Sequence, residues 1–415
     1  MTVLTLDANT LLQNIEILGD IGRDHKNGGR SRIALTDAEK RGRDQVVAWM
    51  TALDLTVHID EIGNIFGILP DQLGNTKENA LMIGSHIDSV YNAGALDGCY
   101  GVLAGLSVIK AFRDEKQTPS RPIIVAAFTN EEGVRYQPDM MGSLAHAGGL
   151  SAEQVLNNIG SDGTRLGDEL VRIGYDGDMP LGTLVPSQYL ELHIEQGPVL
   201  DKEGIQIGAV ANLQGISWQK ICIKGKANHA GTTPMSMRHD AGYVAASIIT
   251  FLREQTTHNE NTLATVGSIQ FEPNAINVIP RAAELTVDLR NPDNTKLNIA
   301  EQALAAHLEI LRQKEGVMIE TEVLARFDPV IFDEKLVNVI EQAASTLNIT
   351  HRRMTSGAGH DAQMIARIAP AAMIFVPSKD GISHNPKEFT SSNDLIQGAK
   401  VLLLTVESLL NITHP

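Results

Sequence analysis

Residues 84–98 read Gly-Ser-His-Ile-Asp-Ser-Val-Tyr-Asn-Ala-Gly-Ala-Leu-Asp-Gly and follow the apolar run Ala80-Leu81-Met82-Ile83. Three later apolar runs empty into polar chain in the same way. Pro122 to Thr129 leads into Asn130-Glu131-Glu132-Gly133, Gln188 to Ile194 ends in His193-Ile194-Glu195-Gln196-Gly197, and Ala371 to Val376 precedes Gly381-Ile382-Ser383-His384-Asn385-Pro386. Imidazoles and carboxylates are the donors that zinc takes, with manganese or cobalt accepted by the same set. His86 and Asp88 are two apart on an extended segment and so point the same way. An acid beside a metal-binding imidazole can hold its other N–H. Asp97, between Gly94 and Gly98, is free to swing a carboxylate between two cations. Of the adjacent pair Glu131 and Glu132, one can ligate while the other takes a proton from water. His193 and His384 complete two sets of nitrogen and oxygen donors. Singly, each residue has a plainer explanation: a loop histidine with a hydrogen bond, turn chemistry at Asp97, a solvated face for the glutamates. Their recurrence at successive strand ends is what points to metal.

Open α/β sheets bind ligands beyond the carboxyl ends of their strands, so the elements must deliver these residues to one edge. Thr36-Asp37-Ala38-Glu39 has capping-box spacing and predicts a helix to about Leu53. Strands are predicted at Thr56 to Asp60, Ile65 to Leu69, Ala80 to Ile87 and Pro122 to Thr129, with a helix from Cys99 to Phe112. Buried strands separated by helices imply an α/β sheet covered on both faces. Residues 151–187 read as a loop-rich elaboration.

From about Gly208 the pattern changes to strand Ile216 to Lys224, helix Ala241 to Arg253, strands Leu263 to Phe271 and Ala282 to Arg290, helix Lys296 to Lys314 and strand Val317 to Leu324. That β-α-β-β-α-β order is ferredoxin-like. Helix–strand alternation then resumes to the end. The expected architecture is α/β, with a discontinuous catalytic domain (1–208 and 328–415) and an inserted α+β domain (209–327).

The chain has 415 residues, more than one core usually organises. Its net charge of −16 repels phosphate backbones, which argues against a nucleic-acid partner. The longest apolar stretches fall short of a membrane span of about 20 residues. Asp7 and the lack of a basic n-region argue against a secretory signal, so a soluble, cytoplasmic protein is expected. Cys99 and Cys222 form no disulfide framework and no CxxC pair, which leaves any metal to His, Asp and Glu.

The segments GSHIDSVYNAGALDGCYGV, AFTNEEGVRYQPDMMGS, LHIEQGPVL, GKANHAGTTPM, NAINVIP, DLRN, SGAGHDAQ and GISHNP, spread over residues 84 to 386, together resemble the M20 metallopeptidase-like family. The likeness is closest to its hydantoinase/carbamoylase branch of N-carbamoyl-L-amino acid hydrolases, β-ureidopropionases and allantoate amidohydrolases. The resemblance implies two divalent ions per subunit, one on His86, Asp97 and His193 and one on Asp97, Glu132 and His384, with Asp97 shared. It implies that Glu131 is the general base, with Asp88 supporting His86, and that Gln196, His229, Asn277, Arg290 and the backbone near Gly359 hold substrate. It further implies a homodimer in which the inserted domain serves as lid and dimerisation domain, some of whose residues could serve the partner's site. Arg290 suits a bidentate grip on a carboxylate; its plainer alternative is a surface ion pair with Asp288. His229, just after a strand, could donate to an oxyanion. The expected reaction is cleavage of the ureido C–N bond of an N-carbamoyl-L-amino acid, a small substrate with a carboxylate. Allantoate or N-carbamoyl-β-alanine as substrate, a dinuclear-zinc exopeptidase and a silent binding protein are the alternatives.

Overall fold

The computed structural model describes residues 4–259 and 261–411. In chain order the strands are β1 (Thr56–Ile59), β2 (Ile65–Leu69), β3 (Leu81–His86), β4 (Ile123–Phe128), β5 (Gln188–Ile194), β6 (Ile207–Leu213), β7 (Gly215–Lys224), β8 (Leu263–Glu272), β9 (Ala282–Asn291), β10 (Met318–Phe327), β11 (Val330–Ile331), β12 (His351–Ser356) and β13 (Ala371–Val376). The larger sheet runs β1-β2-β4-β3-β5-β13-β6-β11, with β12 paired to β6. Its centre, β4-β3-β5-β13, is parallel, and β2 and β6 join that block antiparallel. The fold is therefore mixed α/β. Every residue of β3, β4 and β13 is buried. Because successive strand side chains point to opposite faces, both faces must be covered. The helix Cys99–Asp114 packs on β3, β4 and β5, and Ser392–Leu409 packs on β13 and β5. Parallel neighbours place their carboxyl ends on one edge, and that edge carries the candidate chemistry.

The chain divides into two compact units, one of residues 1–211 with 332–415 and one of residues 212–331. In the second, β10-β7-β9-β8 form an antiparallel sheet. The helices Ala241–His258 and Asn294–Glu315 pack against it around Ile221, Val244, Ile248, Leu285, Leu304 and Leu308. The succession of elements is β-α-β-β-α-β.

Local differences from the sequence expectation have physical causes. The helix after Thr36 spans Asp37–Ala52, and Thr36 Oγ1 accepts from the Glu39 N–H. The reciprocal arm lands one residue early: Glu39 Oε2 accepts from the Leu35 N–H at 2.9 Å. Its other oxygen lies 2.6 Å from Arg43 Nε, a buried pair that draws the carboxylate across the helix. Arg43 in turn donates to Thr129 Oγ1 at 3.1 Å, tying this helix to the exit of β4. The helix Ala8–Asp20, the short helices Met141–His146 and Asp361–Ile365, and strands β6 and β12 were not anticipated.

Candidate metal centre

Four strand exits meet here. β3 ends at His86, β5 contains His193, the turn after β4 carries Glu131 and Glu132, and the chain beyond β13 brings back His384. Asp97 lies at their centre, and its two oxygens face different partners. Oδ1 is 3.2 Å from His193 Nε2 and 3.6 Å from His86 Nε2. Oδ2 is 3.1 Å from His384 Nε2, and His384 Nε2 lies 3.3 Å from Glu132 Oε2. Two groups of potential ligands result, His86 with Asp97 and His193, and Asp97 with Glu132 and His384, each with its donor atoms within 4.8 Å of one another. Glu131 Oε2 stands 3.3 Å from His86 Nε2. Glu131, Gln196, Gly359 and His384 line one cavity of about 160 Å³ beside Asp97.

The backbone aims these side chains. Gly98 has φ +65°, and a Cβ there would lie on the His86 ring, so only glycine lets the loop return past that imidazole. The Gly98 N–H donates to His193 Nε2 at 3.1 Å. His86 Nδ1 faces the Asp88 carbonyl at 3.1 Å and His193 Nδ1 faces the Ile194 carbonyl at 2.9 Å. A proton on each Nδ1 answers those carbonyls and leaves both Nε2 atoms on the side of Asp97. The Asp88 carboxylate is 3.6 Å from His86 Nδ1. Its oxygens accept from the Glu131 and Glu132 N–H groups, each at 3.2 Å, so it also fixes the glutamate turn. The Val90 N–H holds Glu132 Oε1 at 3.2 Å.

The cluster carries charge that it cannot balance alone. Burial, opposed by His86 and reinforced by Glu132, holds the Glu131 carboxyl well above the usual range. Burial, then Asp97, pushes Glu132 up to about 8. The hydrogen bond to Asp97 raises His384 to about 9. His86 is also raised although burial opposes it, Glu131 being the largest of the carboxylates responsible. Acids kept protonated beside imidazoles kept protonated are what a divalent cation relieves, by taking the lone pairs that the protons occupy. Gln196 donates to Asp97 Oδ2 at 2.7 Å, while its own Oε1 is buried without a donor. That acceptor, the three imidazoles and the carboxylates fit divalent metal by donor chemistry.

A third group, Glu191 with His193 and His360, also lies within ligand distance. Its carboxylate is already engaged by Ser85 Oγ at 2.8 Å, the Ala362 N–H at 2.8 Å and Tyr189 OH at 3.2 Å. Glu191 thus braces β5 behind His193. Sequence reasoning missed it, although a glutamate two residues before His193 in an otherwise apolar strand was a usable signal. His360, packed edge-on against His193 with centroids 4.6 Å apart, was missed too.

The other residues singled out from sequence belong to the second unit. His229 Nδ1 accepts from the Gly231 and Thr232 N–H groups at 3.0 and 3.3 Å, which leaves the proton on Nε2. Asn277 sits beside it, its carbonyl accepting from the Ala230 N–H at 3.0 Å. Arg290 makes a bidentate pair with Asp288, with Nε and Nη2 2.9–3.0 Å from the carboxylate.

The chain is similar to known proteins over nearly its whole length. An N-carbamoyl-L-amino acid amidohydrolase of Geobacillus stearothermophilus is 37% identical over 97% of this chain and 98% of its own. An allantoate amidohydrolase of Escherichia coli is 33% identical over 92% of this chain and 93% of its own. A crystal structure of a hydantoinase/carbamoylase family amidase from Burkholderia multivorans superimposes with a TM-score of 0.94, at 38% identity and 98% coverage of both chains. Residues 82–408 match peptidase family M20/M25/M40, and it is to this family that the chain belongs.

Proposed function

We propose that the protein is a metal-dependent amidohydrolase that cleaves the ureido C–N bond of N-carbamoyl-L-amino acids, giving the amino acid, ammonia and carbon dioxide. The observation that carries this reading is Asp97, whose two carboxylate oxygens each face a separate set of nitrogen and oxygen donors. Full-length similarity to N-carbamoyl-L-amino acid amidohydrolases supports the substrate class. Allantoate is the nearest alternative, on the likeness to the E. coli enzyme.

In this reading His86, Asp97 and His193 hold one divalent ion and Asp97, Glu132 and His384 the other, zinc being the first choice and manganese or cobalt equally suited to the donors. A ureido carbonyl is a weak electrophile because two nitrogens donate into it. The bound cations would supply Lewis acidity, polarising that carbonyl and bringing the pKa of water to roughly 7. Glu131 takes the proton from the attacking water and delivers it to the leaving nitrogen. Burial raises its carboxyl above the usual range, the direction that a proton-carrying base needs. Asp88 keeps the Glu131 and Glu132 backbone in place through two N–H bonds. His229 donates from Nε2 to the developing oxyanion. Asn277 and Arg290 fix the substrate carboxylate, and Gln196 and the Gly359 backbone orient the ureido group.

The domains follow: a metal-binding catalytic domain and an inserted lid and dimerisation domain. Support for a homodimer comes from β8, an edge strand that exposes Leu263, Ile269 and Phe271. An exposed apolar edge is otherwise an aggregation hazard, and pairing with a second copy removes it. We place the protein in the cytoplasm; among the described residues no helix is long and apolar enough to cross a membrane.

The test is a steady-state panel of N-carbamoyl-L-amino acids, N-carbamoyl-β-alanine, allantoate and a dipeptide, each assayed with added Mn²⁺ or Zn²⁺. The highest kcat/KM should fall among the carbamoyl-L-amino acids. Faster turnover of allantoate or of the dipeptide would reassign the substrate.

A further inference from the structure

Glu388 lies four residues beyond His384. The Lys387 N–H bonds to Asn385 Oδ1 at 3.0 Å and the Glu388 N–H to the Asn385 carbonyl at 3.0 Å, a turn that sends the Glu388 side chain back toward Asp97. There its Oε1 accepts from the Leu96 N–H at 2.8 Å and the Asp97 N–H at 3.4 Å. Its Oε2 accepts from Ser383 Oγ at 2.9 Å, and that hydroxyl also lies 3.1 Å from Asp97 Oδ2. One carboxylate thus clamps the loop that carries Asp97 to the loop that carries His384, Glu388 and Asp97 being 291 residues apart in the chain. The clamp needs Gly94, because a Cβ at that position would fall on the Glu388 carboxylate.

The two ligand groups depend on this clamp unequally. His86 ends β3 and His193 lies within the paired strand β5, and the Gly98 N–H holds His193 without help from Glu388. His384 sits on a loop, with its side chain 48% exposed, one residue from Ser383. Gln196 and Glu132 contact its imidazole at 3.5 and 3.3 Å, and Ser383 with Glu388 ties its loop backbone to Asp97.

We propose that Glu388 is a positioning residue for the metal centre. Through the Asp97 backbone and Ser383 it sets the distance between Asp97 and His384, and so the affinity for the ion on that side, while touching neither ion nor substrate. The inference rests on the two-ion reading given above.

The experiment is a calorimetric titration of chelator-stripped protein with Mn²⁺, accompanied by thermal melting and by electron paramagnetic resonance of the loaded protein. Wild-type protein should take up two ions and give the exchange-coupled spectrum of a dinuclear pair. Glu388→Ala should keep one ion at wild-type affinity and bind the other roughly 10–100-fold more weakly, the usual effect of removing a group that orients a ligand. Its spectrum at limiting Mn²⁺ should be that of an isolated ion. Glu388→Gln should largely restore the pair, since its carbonyl oxygen can still accept from the Leu96 and Asp97 N–H groups. Should Glu388→Ala not fold, Ser383→Ala must show the same selective loss. A Glu388→Ala protein with both affinities unchanged, or with both reduced alike, would overturn the inference while leaving the two-ion reading intact. Wild-type protein that binds fewer than two ions would overturn both.

Discussion

Glu131 and Glu132 are adjacent yet take different positions, because Asp88 accepts from both of their N–H groups and so fixes the turn between them. Glu132 reaches Val90 N and His384, whereas Glu131 reaches His86 Nε2. That division underlies the assignment of ligand and base. Replacing Glu131 by Gln preserves size and removes the proton acceptor, so metal content should stay at the wild-type level while kcat falls by roughly 10²–10⁴-fold. Metal analysis and steady-state kinetics on one preparation check this, and near-normal turnover would remove Glu131 from the base role. His86, Asp97, Glu131, Glu132, His193 and His384 were legible because each follows an apolar run at the edge where parallel strands end. Glu388 was not legible, since nothing local separates it from a surface acid. Its partners, Leu96 and Asp97, are 292 and 291 residues away.

At the scale of elements, the β1–β2 turn braces the exit of β4. Asp60 accepts from Ile62 N, Asn64 N and Asn64 Nδ2 at 2.8–3.1 Å. Asn64 then accepts from Thr129 N at 2.9 Å and donates to the Gly142 carbonyl at 3.2 Å, holding both ends of the glutamate turn. Burial outweighs these hydrogen bonds and pushes the Asp60 carboxyl up to about 6. Below about pH 4 the folded and unfolded states both carry the proton. Between pH 4 and 6 the unfolded chain ionises first, so the contribution of Asp60 to stability falls as pH rises, by on the order of 3 kcal/mol in all, and stays low above pH 6. Asn at this position cannot ionise. The urea-unfolding free energy of Asp60→Asn minus that of wild type should therefore climb by about that amount from pH 4 to pH 7. A difference independent of pH would contradict the burial argument. The central strands were legible as continuous apolar runs, and β5 and β13 match their predicted ranges. β6 and β12 were missed because β6 contains small residues, Gly208, Ala209 and Ala211, and β12 is the polar run His351–Ser356 on the sheet's flank.

For the whole molecule, the β-α-β-β-α-β succession of the second unit could be read from strand and helix periods alone. What such a unit is for could not, because strand and helix periods do not show that β8, with Leu263, Ile269 and Phe271 exposed, lies at the edge of its sheet. Sedimentation should give about 90 kDa, twice the 44.8 kDa chain. A species of single-chain mass at micromolar concentration would remove the dimer. If residues of the inserted unit serve the partner's site, mixed dimers of Glu131→Gln and Arg290→Ala chains contain one intact site. Activity should then recover to about a quarter of wild type after subunit exchange, whereas sites completed within one chain would give no recovery.

The most direct measurement is anomalous diffraction from crystals loaded with Mn²⁺. Two peaks are expected, one bounded by His86, Asp97 and His193 and the other by Asp97, Glu132 and His384, with a different Asp97 oxygen on each. A single peak, or density away from Asp97, would contradict the shared-carboxylate centre on which the proposed hydrolysis depends.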